Sequence, residues 1–508
     1  MKWTTISSWF DDTVSRYGSK TAVQFLRNSR IETVLSYSEL SRDINGFAGV
    51  LQSQGILRGD RVILLLQKSL IALTAHLALQ KLGAISVPLN PGFKKNELDY
   101  LLNDADASLI ILDPEKAELI GEIQPGLRQI VVSTRLPYQE LDLFKSAPAA
   151  PIETAIKPDD PGLIIYTSGT TGNPKGAMLT QRNLVHDAQN IISIWGIRDT
   201  DVLCHALPLF HVHGLCFAVH TLLLSGGQIL MLDAFRPDVV IDVLSGKTGD
   251  ATCTVFMAVP AMYTRLMDTM ADPIPDFGHI RLLTSGSAPL PVPAFERIKA
   301  TFGREPVERE GMSETGMNFS NPLAGVRKPG AIGLPLPGLE VRVVDPETHA
   351  DVEPGQVGEL WLKSPSITPG YWRKPVETAA TFENGWFKTG DLGKVDDDGY
   401  YYLTDRIKHI IITGGENVSA REVETVINQV KDVVESCVVG ISDEKWGEKV
   451  VAVVVVKPES TVTEAEIIAF CREHLHDWKC PKRVLFQDEI PRNTMGKMLK
   501  EAVKKYFQ

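Results

Sequence analysis

No two of the six cysteines form a CxxC pair, and none stands at metal-ligand spacing from a histidine. Cys204, Cys216, Cys253, Cys437, Cys471 and Cys480 are scattered along the chain. That spacing excludes a disulfide-stapled scaffold and a cysteine zinc site, and it fits reduced thiols in a cytoplasm. Long apolar runs are missing too. No stretch reaches the roughly 18 residues a membrane-spanning helix needs, and the valine run at 450–456 reads as a buried strand. Excess positive charge is absent: 52 Lys and Arg face 63 Asp and Glu, for a net charge of −11. This argues against a general nucleic-acid binder but leaves room for a local anion site. Repeats and low-complexity segments are also lacking. The opening MKWTTISSWFDDTV has no apolar signal core and carries Asp11 and Asp12, so it reads as mature protein.

What is present is ordinary for a large α/β enzyme. The 508 residues are 44% hydrophobic and 23% charged, enough for more than one domain and a sizeable core. Up to about residue 160, amphipathic helices alternate with apolar strands. Ser38 is expected to cap a helix running to Gln54, with Gly55 just beyond. A strand at 61–66, a helix at 70–82 and a strand at 84–88 follow. That order implies a parallel, doubly wound sheet.

The chain is organised around YTSGTTGNPKG, residues 166–176. Three apolar residues, Leu163, Ile164 and Ile165, lead into it, and Thr180 behind it can cap a helix that closes at Gly196. Glycines let backbone N–H groups approach an anion, hydroxyls donate to its oxygens, and Lys175 adds positive charge. The composition suits a polyphosphate. The GxxxxGK[ST] pattern does not fit it. Further on, HALPLFHVHGL at 205–215 holds histidines two apart, with no third ligand at a spacing that would make a metal site.

The 166–176 run resembles the phosphate-binding loop of the adenylate-forming (AMP-binding) superfamily, which includes acyl-CoA synthetases, luciferases and peptide-synthetase adenylation domains. The resemblance spans essentially the whole chain, because further motifs follow in family order. It implies an α/β fold: a large N-terminal domain of parallel and mixed sheets flanked by helices, and a small α+β C-terminal domain on a hinge. The expected division is 1–404, a hinge at 405–408 centred on Lys408, and 409–508. Ser419 with Glu422, and Thr463 with Glu466, have capping-box spacing for two helices of the small domain.

The resemblance also distributes roles. Thr167, Ser168, Gly169, Thr170, Thr171, Gly172 and Lys175 would hold the phosphates. Gly286, Ser287 and Ala288 of RLLTSGSAPL would border adenine. In EREGMSETG, Glu314 would hold Mg2+, a hard ion suited to a carboxylate, with Thr171 as a further ligand and Thr315 near the α-phosphate. Glu310 stands where the family has a Tyr or Phe that stacks on adenine, which weakens the expected nucleotide contact. Asp391 of WFKTGDLG and Arg406 would take the ribose hydroxyls. Gly414 and Gly415 would let the pantetheine arm of coenzyme A pass. Lys497 of PRNTMGK would be the catalytic lysine of adenylate formation.

His211 would lie nearest the substrate carboxylate, its alternative role being an interior hydrogen-bond partner. The stretch TVFMAVPAMYTRLM, 254–267, would wall the acyl pocket. The activity implied is an acid–thiol ligase: ATP, a carboxylate and CoA give acyl-CoA, AMP and pyrophosphate through an acyl-adenylate. Within the family the pattern is most similar to malonyl-CoA synthetases. Malonate needs a cation at the far end of the pocket, and Arg281 is the candidate, although an arginine there can instead brace the strand. Other readings are a short- or medium-chain fatty or aromatic acyl-CoA synthetase, a luciferase-like oxygenase, an adenylation enzyme loading a separate carrier protein, and a non-enzymatic relic of a nucleotide site. The expected partners are small molecules, with no nucleic acid and no transmembrane segment, in a cytoplasmic monomer or homodimer.

Overall fold

Runs such as VILLL at 62–66 and LIIL at 109–112 are apolar on both faces, which a strand tolerates only when both faces are covered. In the computed structural model they are adjacent parallel strands. The structure describes residues 3–141, 154–167, 173–248, 251–414, 416–492 and 498–507. By proximity the chain divides into two units, Met1–Glu340 with Lys363–Gly385, and Val341–Leu362 with Trp386–Gln508.

The first unit contains two large sheets. The smaller runs Arg128–Val131, Leu109–Leu112, Arg61–Leu65, Ile85–Pro88, Pro161–Thr167, Lys175–Thr180. It is parallel except for its last pair, which forms the two arms of the 166–176 loop. The larger sheet has a parallel middle in the order Val307–Met312, Leu282–Ser285, Val255–Ala258, Val202–His205, Gln228–Leu232, Thr21–Arg27. Antiparallel strands close it at both edges. Parallel strands bring their carboxyl ends to one side, where ligands bind in open α/β sheets.

The helix Leu70–Leu82 is apolar on nearly every face and is correspondingly buried almost throughout. Its polar residues are partnered inside: Gln80 donates to the Gly162 carbonyl at 2.7 Å, and His76 meets His220 at 2.9 Å. Thr180 caps Gln181–Ile194 as expected, in a reciprocal box with Asn183. The second helix starts earlier than expected. Ser36, not Ser38, is its cap, because Glu39 sits three residues on and returns a carboxylate to the Ser36 N–H.

In the second unit Trp386–Val395 pairs antiparallel with Tyr401–Arg406 and with the strand Gly358–Lys363, whose residues up to Leu362 belong to that unit. A further sheet pairs the long strands Val433–Asp443 and Gly447–Val456, with Arg483–Phe486 parallel to the second. Helices Ala420–Ile427 and Glu464–His474 supply its apolar cover, opened by Ser419 and Thr463. The α/β fold implied by the sequence is the one observed.

Among the described residues no helix is long and apolar enough to cross a membrane. All six cysteines are free and buried. Leu73 is fully buried on the Leu70–Leu82 helix. Leu73→Ala should therefore destabilise the first unit by about 2–5 kcal/mol, read as a lower denaturant midpoint for the transition that includes it.

Candidate active site

Two groups of polar and charged side chains stand out in the first unit. The first lies at the arms of the phosphate loop. Thr167 and Lys175 face each other across the hairpin. The turn after Val307–Met312 brings Glu314, nearly buried, to the same place. Its Oε1 accepts from the Tyr371 hydroxyl at 3.1 Å and from Thr167 Oγ1 at 3.4 Å. Among the described residues no side chain donates to Oε2, which leaves that oxygen for a cation. The Lys175 ammonium lies 5.3 Å from the centre of the Tyr371 ring.

No group of three or more His, Cys, Asp or Glu that could hold a metal occurs among the described residues. One hard carboxylate suits Mg2+ that is otherwise held by water and substrate phosphates, so the residues present fit that ion. Thr315 is fully buried, and its hydroxyl accepts from Asn318 at 2.7 Å. The same Asn318 amide donates to Glu310 at 3.0 Å, so Glu310 is held by a neighbouring strand.

The second group gathers at the carboxyl ends of the larger sheet. Ser285 pairs with Glu308, which sets Gly286 against Arg309. A Cβ on Gly286 would stand 2.6 Å from the Arg309 guanidinium carbon and 2.7 Å from its carbonyl oxygen. The small residue here makes room for arginine as well as for any ligand. Arg309 is 3% exposed, and its Nε and one terminal nitrogen have no hydrogen-bond partner. The other terminal nitrogen reaches Ser287 Oγ at 3.5 Å, and the guanidinium lies 5.3 Å from the Phe217 ring centre.

Ser287, exposed and at φ 68°, also meets His213 Nδ1 at 3.4 Å. His213 begins the wide helical turn His213–His220, a geometry enriched at functional sites. Burial lowers the pKa of Arg309 to about 10, so it stays charged at neutral pH. Burial also pushes Asp187, its neighbour in charge, up to about 7. His211 is driven down to about 4 and His213 well below its usual range, both by burial, so both are neutral near pH 7. Each keeps an unpartnered Nε2.

Arg281 does not serve as the far-end cation. It precedes Leu282–Ser285, at the amino end of the strand, whereas the ligand side is the carboxyl end. Its guanidinium is engaged by Asp201 through both oxygens and by the carbonyls of Trp195 at 3.0 Å and Gly196 at 2.9 Å. It braces the strand start. Arg309, missed in the sequence, is the buried cation beside Ser287. Its signal was an arginine in an otherwise interior strand, flanked by Glu308 and Glu310.

In the second unit Asp391 and Arg406 face each other on adjacent strands and form an ion pair at 2.6 Å. Lys408 lies in the short turn Ile407–His409. Gly414, at φ 62°, donates to the Trp446 carbonyl, and the Trp446 ring occupies the space a Cβ would need. Ala288 follows Ser287 and is partly exposed. Ser168, Gly169, Thr170, Thr171, Gly172, Gly415 and Lys497 lie outside the described residues.

Comparison with known proteins decides the family. The model for AMP-binding enzymes matches residues 10–372, and that for the AMP-binding enzyme C-terminal domain matches 422–497. The chain belongs to the AMP-binding enzyme family. Within it, this AMP-binding enzyme falls among the acyl-CoA synthetases. It is 35% identical to a feruloyl-CoA synthase of Amycolatopsis sp over 94% of both chains. It is 35% identical to a mitochondrial malonate–CoA ligase of Bos taurus over 95% of this chain and 88% of that one. An indoleacetate–CoA ligase of Aromatoleum aromaticum is 32% identical over 98% and 97%. The crystal structure of ATP-bound MatB from Rhodopseudomonas palustris superposes with a TM-score of 0.92 at 37% identity, covering 99% of both chains. The AMP-binding enzyme is thus an ATP-dependent acyl-CoA synthetase, with ATP, a carboxylate and CoA as its small-molecule substrates.

The Gly286–Arg309 contact generates a test. Gly286→Ala should displace the guanidinium and lower kcat/KM for the acid at least about tenfold, the scale of an ångström-size misplacement.

Proposed function

We propose that the protein is a malonyl-CoA synthetase, converting malonate, ATP and CoA to malonyl-CoA, AMP and pyrophosphate. The observation that carries this reading is Arg309: a buried cation with two unpartnered nitrogens beside Ser287 and His213. A second carboxylate suits such a cation, whose Nε and Nη1 still have N–H groups to donate. An aromatic or fatty acyl chain would leave it unpaired, and an unpaired buried charge is costly.

In the first half-reaction one malonate oxygen attacks the α-phosphorus of ATP, and pyrophosphate leaves with the electrons of the broken P–O bond. Two anions must meet, so positive charge has to be in place beforehand. In this reading Lys175 and Lys497 supply it from the chain, Thr171 and Glu314 hold Mg2+, and Mg2+ when bound neutralises phosphate charge. The thiolate of CoA then attacks the acyl carbonyl and AMP leaves. His211 lines the carboxylate end as a neutral hydrogen-bonding group. Asp391 and Arg406 remain the proposed ribose contacts, Gly286, Ser287, Ala288 and Glu310 the adenine border, and Gly414 with Gly415 the pantetheine passage. Residues 1–404 and 409–508 are the proposed functional domains, with Lys408 the hinge. A cytoplasmic setting, with a reduced thiol pool, is part of the same reading.

CoA consumption across malonate, methylmalonate, acetate, ferulate and indoleacetate tests the substrate. Malonate should be preferred, and a preference for either aromatic acid overturns the assignment while leaving the ligase intact. Arg309→Met should cost malonate at least about 2 kcal/mol in kcat/KM, roughly thirtyfold, with a smaller loss for acetate or propionate. Equal losses would make Arg309 a packing cation. Lys497→Ala should abolish adenylate formation yet spare thioester formation from supplied malonyl-AMP; equal loss of both half-reactions would remove Lys497 from the first step.

A further inference from the structure

The segment 368–372 lies against the phosphate-loop arm Lys175–Thr180 through an isolated antiparallel bridge. Met178 donates to the Gly370 carbonyl at 3.2 Å, Trp372 to that of Gly176 at 2.8 Å, and Ala177 bridges to Tyr371. The same segment grips Glu314 twice. The Thr368 N–H donates to the Glu314 carbonyl at 2.7 Å, while the Tyr371 hydroxyl donates to its Oε1.

Gly370 makes this possible. Its φ is 151°, and a Cβ there would collide with Thr378, whose hydroxyl accepts from the Tyr371 N–H at 2.9 Å. Tyr371 is thus fixed at its backbone on one side and hydrogen-bonded to Glu314 on the other. Its ring is also the surface against which the Lys175 ammonium rests.

We propose that Tyr371 is a positioning residue for metal-bound ATP. Its hydroxyl occupies one oxygen of Glu314 and turns the other toward the cation, and its ring parks Lys175 beside the loop until phosphate draws it away. The inference rests on the ligase reading and extends it to a residue outside the expected site. Burial and the nearby Glu314 charge push the phenol pKa up, so the hydroxyl remains a donor throughout the neutral range. A phenylalanine would fill the same volume and keep the ring under Lys175, so the hydroxyl's contribution can be separated from the packing. Thr167 shares the Glu314 oxygen from the loop side, which predicts coupling between the two donors.

The test is calorimetric binding of ATP to the full-length protein, with Mg2+ and with chelator, for wild type, Tyr371→Phe, Thr167→Val and the double variant. Tyr371→Phe should weaken Mg2+–ATP binding roughly tenfold, the scale of a hydrogen bond to a charged group. It should raise the Mg2+ concentration needed for half-saturation and leave metal-free ATP binding within about twofold. The double variant should lose less than the product of the single losses, because both donors serve one oxygen.

Unchanged Mg2+–ATP affinity in Tyr371→Phe overturns the proposal. So does equal weakening with and without Mg2+, or a fall in thermal midpoint of roughly 10 °C or more, since the hydroxyl would then serve the fold. If wild type binds no Mg2+–ATP at all, the ligase reading fails and this inference with it; if it does bind and the variant matches it, only the inference fails.

Discussion

Arg309 is the constraint on which the carboxyl end of the larger sheet depends. A guanidinium with almost no exposure cannot be held by a single partner, and its burial is expensive unless several groups share it. The strand register that pairs Ser285 with Glu308 carries Gly286 past it, and only a residue without a side chain can pass that closely. Phe217 covers one face of the cation, and Asp187 and Glu310 flank it in charge. The wide helical turn from His213 to His220 places both His213 and Phe217 near this group. The local features of the sheet end are consistent with one demand: keep a positive charge in a dry place with some of its donors unspent.

The phosphate side solves the inverse problem. Glu314 is an anion kept nearly buried beside Thr167, at the end of one loop arm. It is tolerable there because hydroxyls from two directions satisfy one oxygen and Lys175 lies nearby across the Tyr371 ring. Low local dielectric strengthens these interactions, and groups fixed beforehand need no reorganisation when charge develops. The two groups therefore complement each other in sign. In the proposed reading, one group offers a cation to an organic acid and the other a carboxylate to the metal of a polyphosphate.

Much of this was legible from residue order. The strand leading into the loop and the Thr180 cap depend on neighbours within a few positions, and local patterns record such neighbours well. Glu314, Asp391 and Arg406 were singled out because they stand inside short motifs, and the last two form an ion pair. The errors came where contact is made across strands. Arg281 opens the RLLTSGSAPL segment and Arg309 lies against its Gly286 in space, but only the parallel stacking tells which end of a strand faces ligand. The same applies to Tyr371, which lies 57 residues from Glu314 and had no motif to announce it. Ser36 was displaced by Ser38 because a serine two residues on looks equally able to cap, and only Glu39 at the third helical position distinguishes them.

The buried state of the six cysteines has a consequence for life beside coenzyme A. A ligase of this kind works in contact with a free thiol that readily exchanges with exposed protein thiolates. Here burial pushes Cys216, Cys437, Cys471 and Cys480 above the ordinary thiol range. Cys253 is raised as well, first by its hydrogen bond with Cys204 and then by burial. Exchange needs both a thiolate and access, and all six thiols are buried. Oxidised coenzyme A therefore finds no sulfur on which to form a mixed disulfide, and the protein can handle its thiol substrate through swings in cellular redox state without being capped by it.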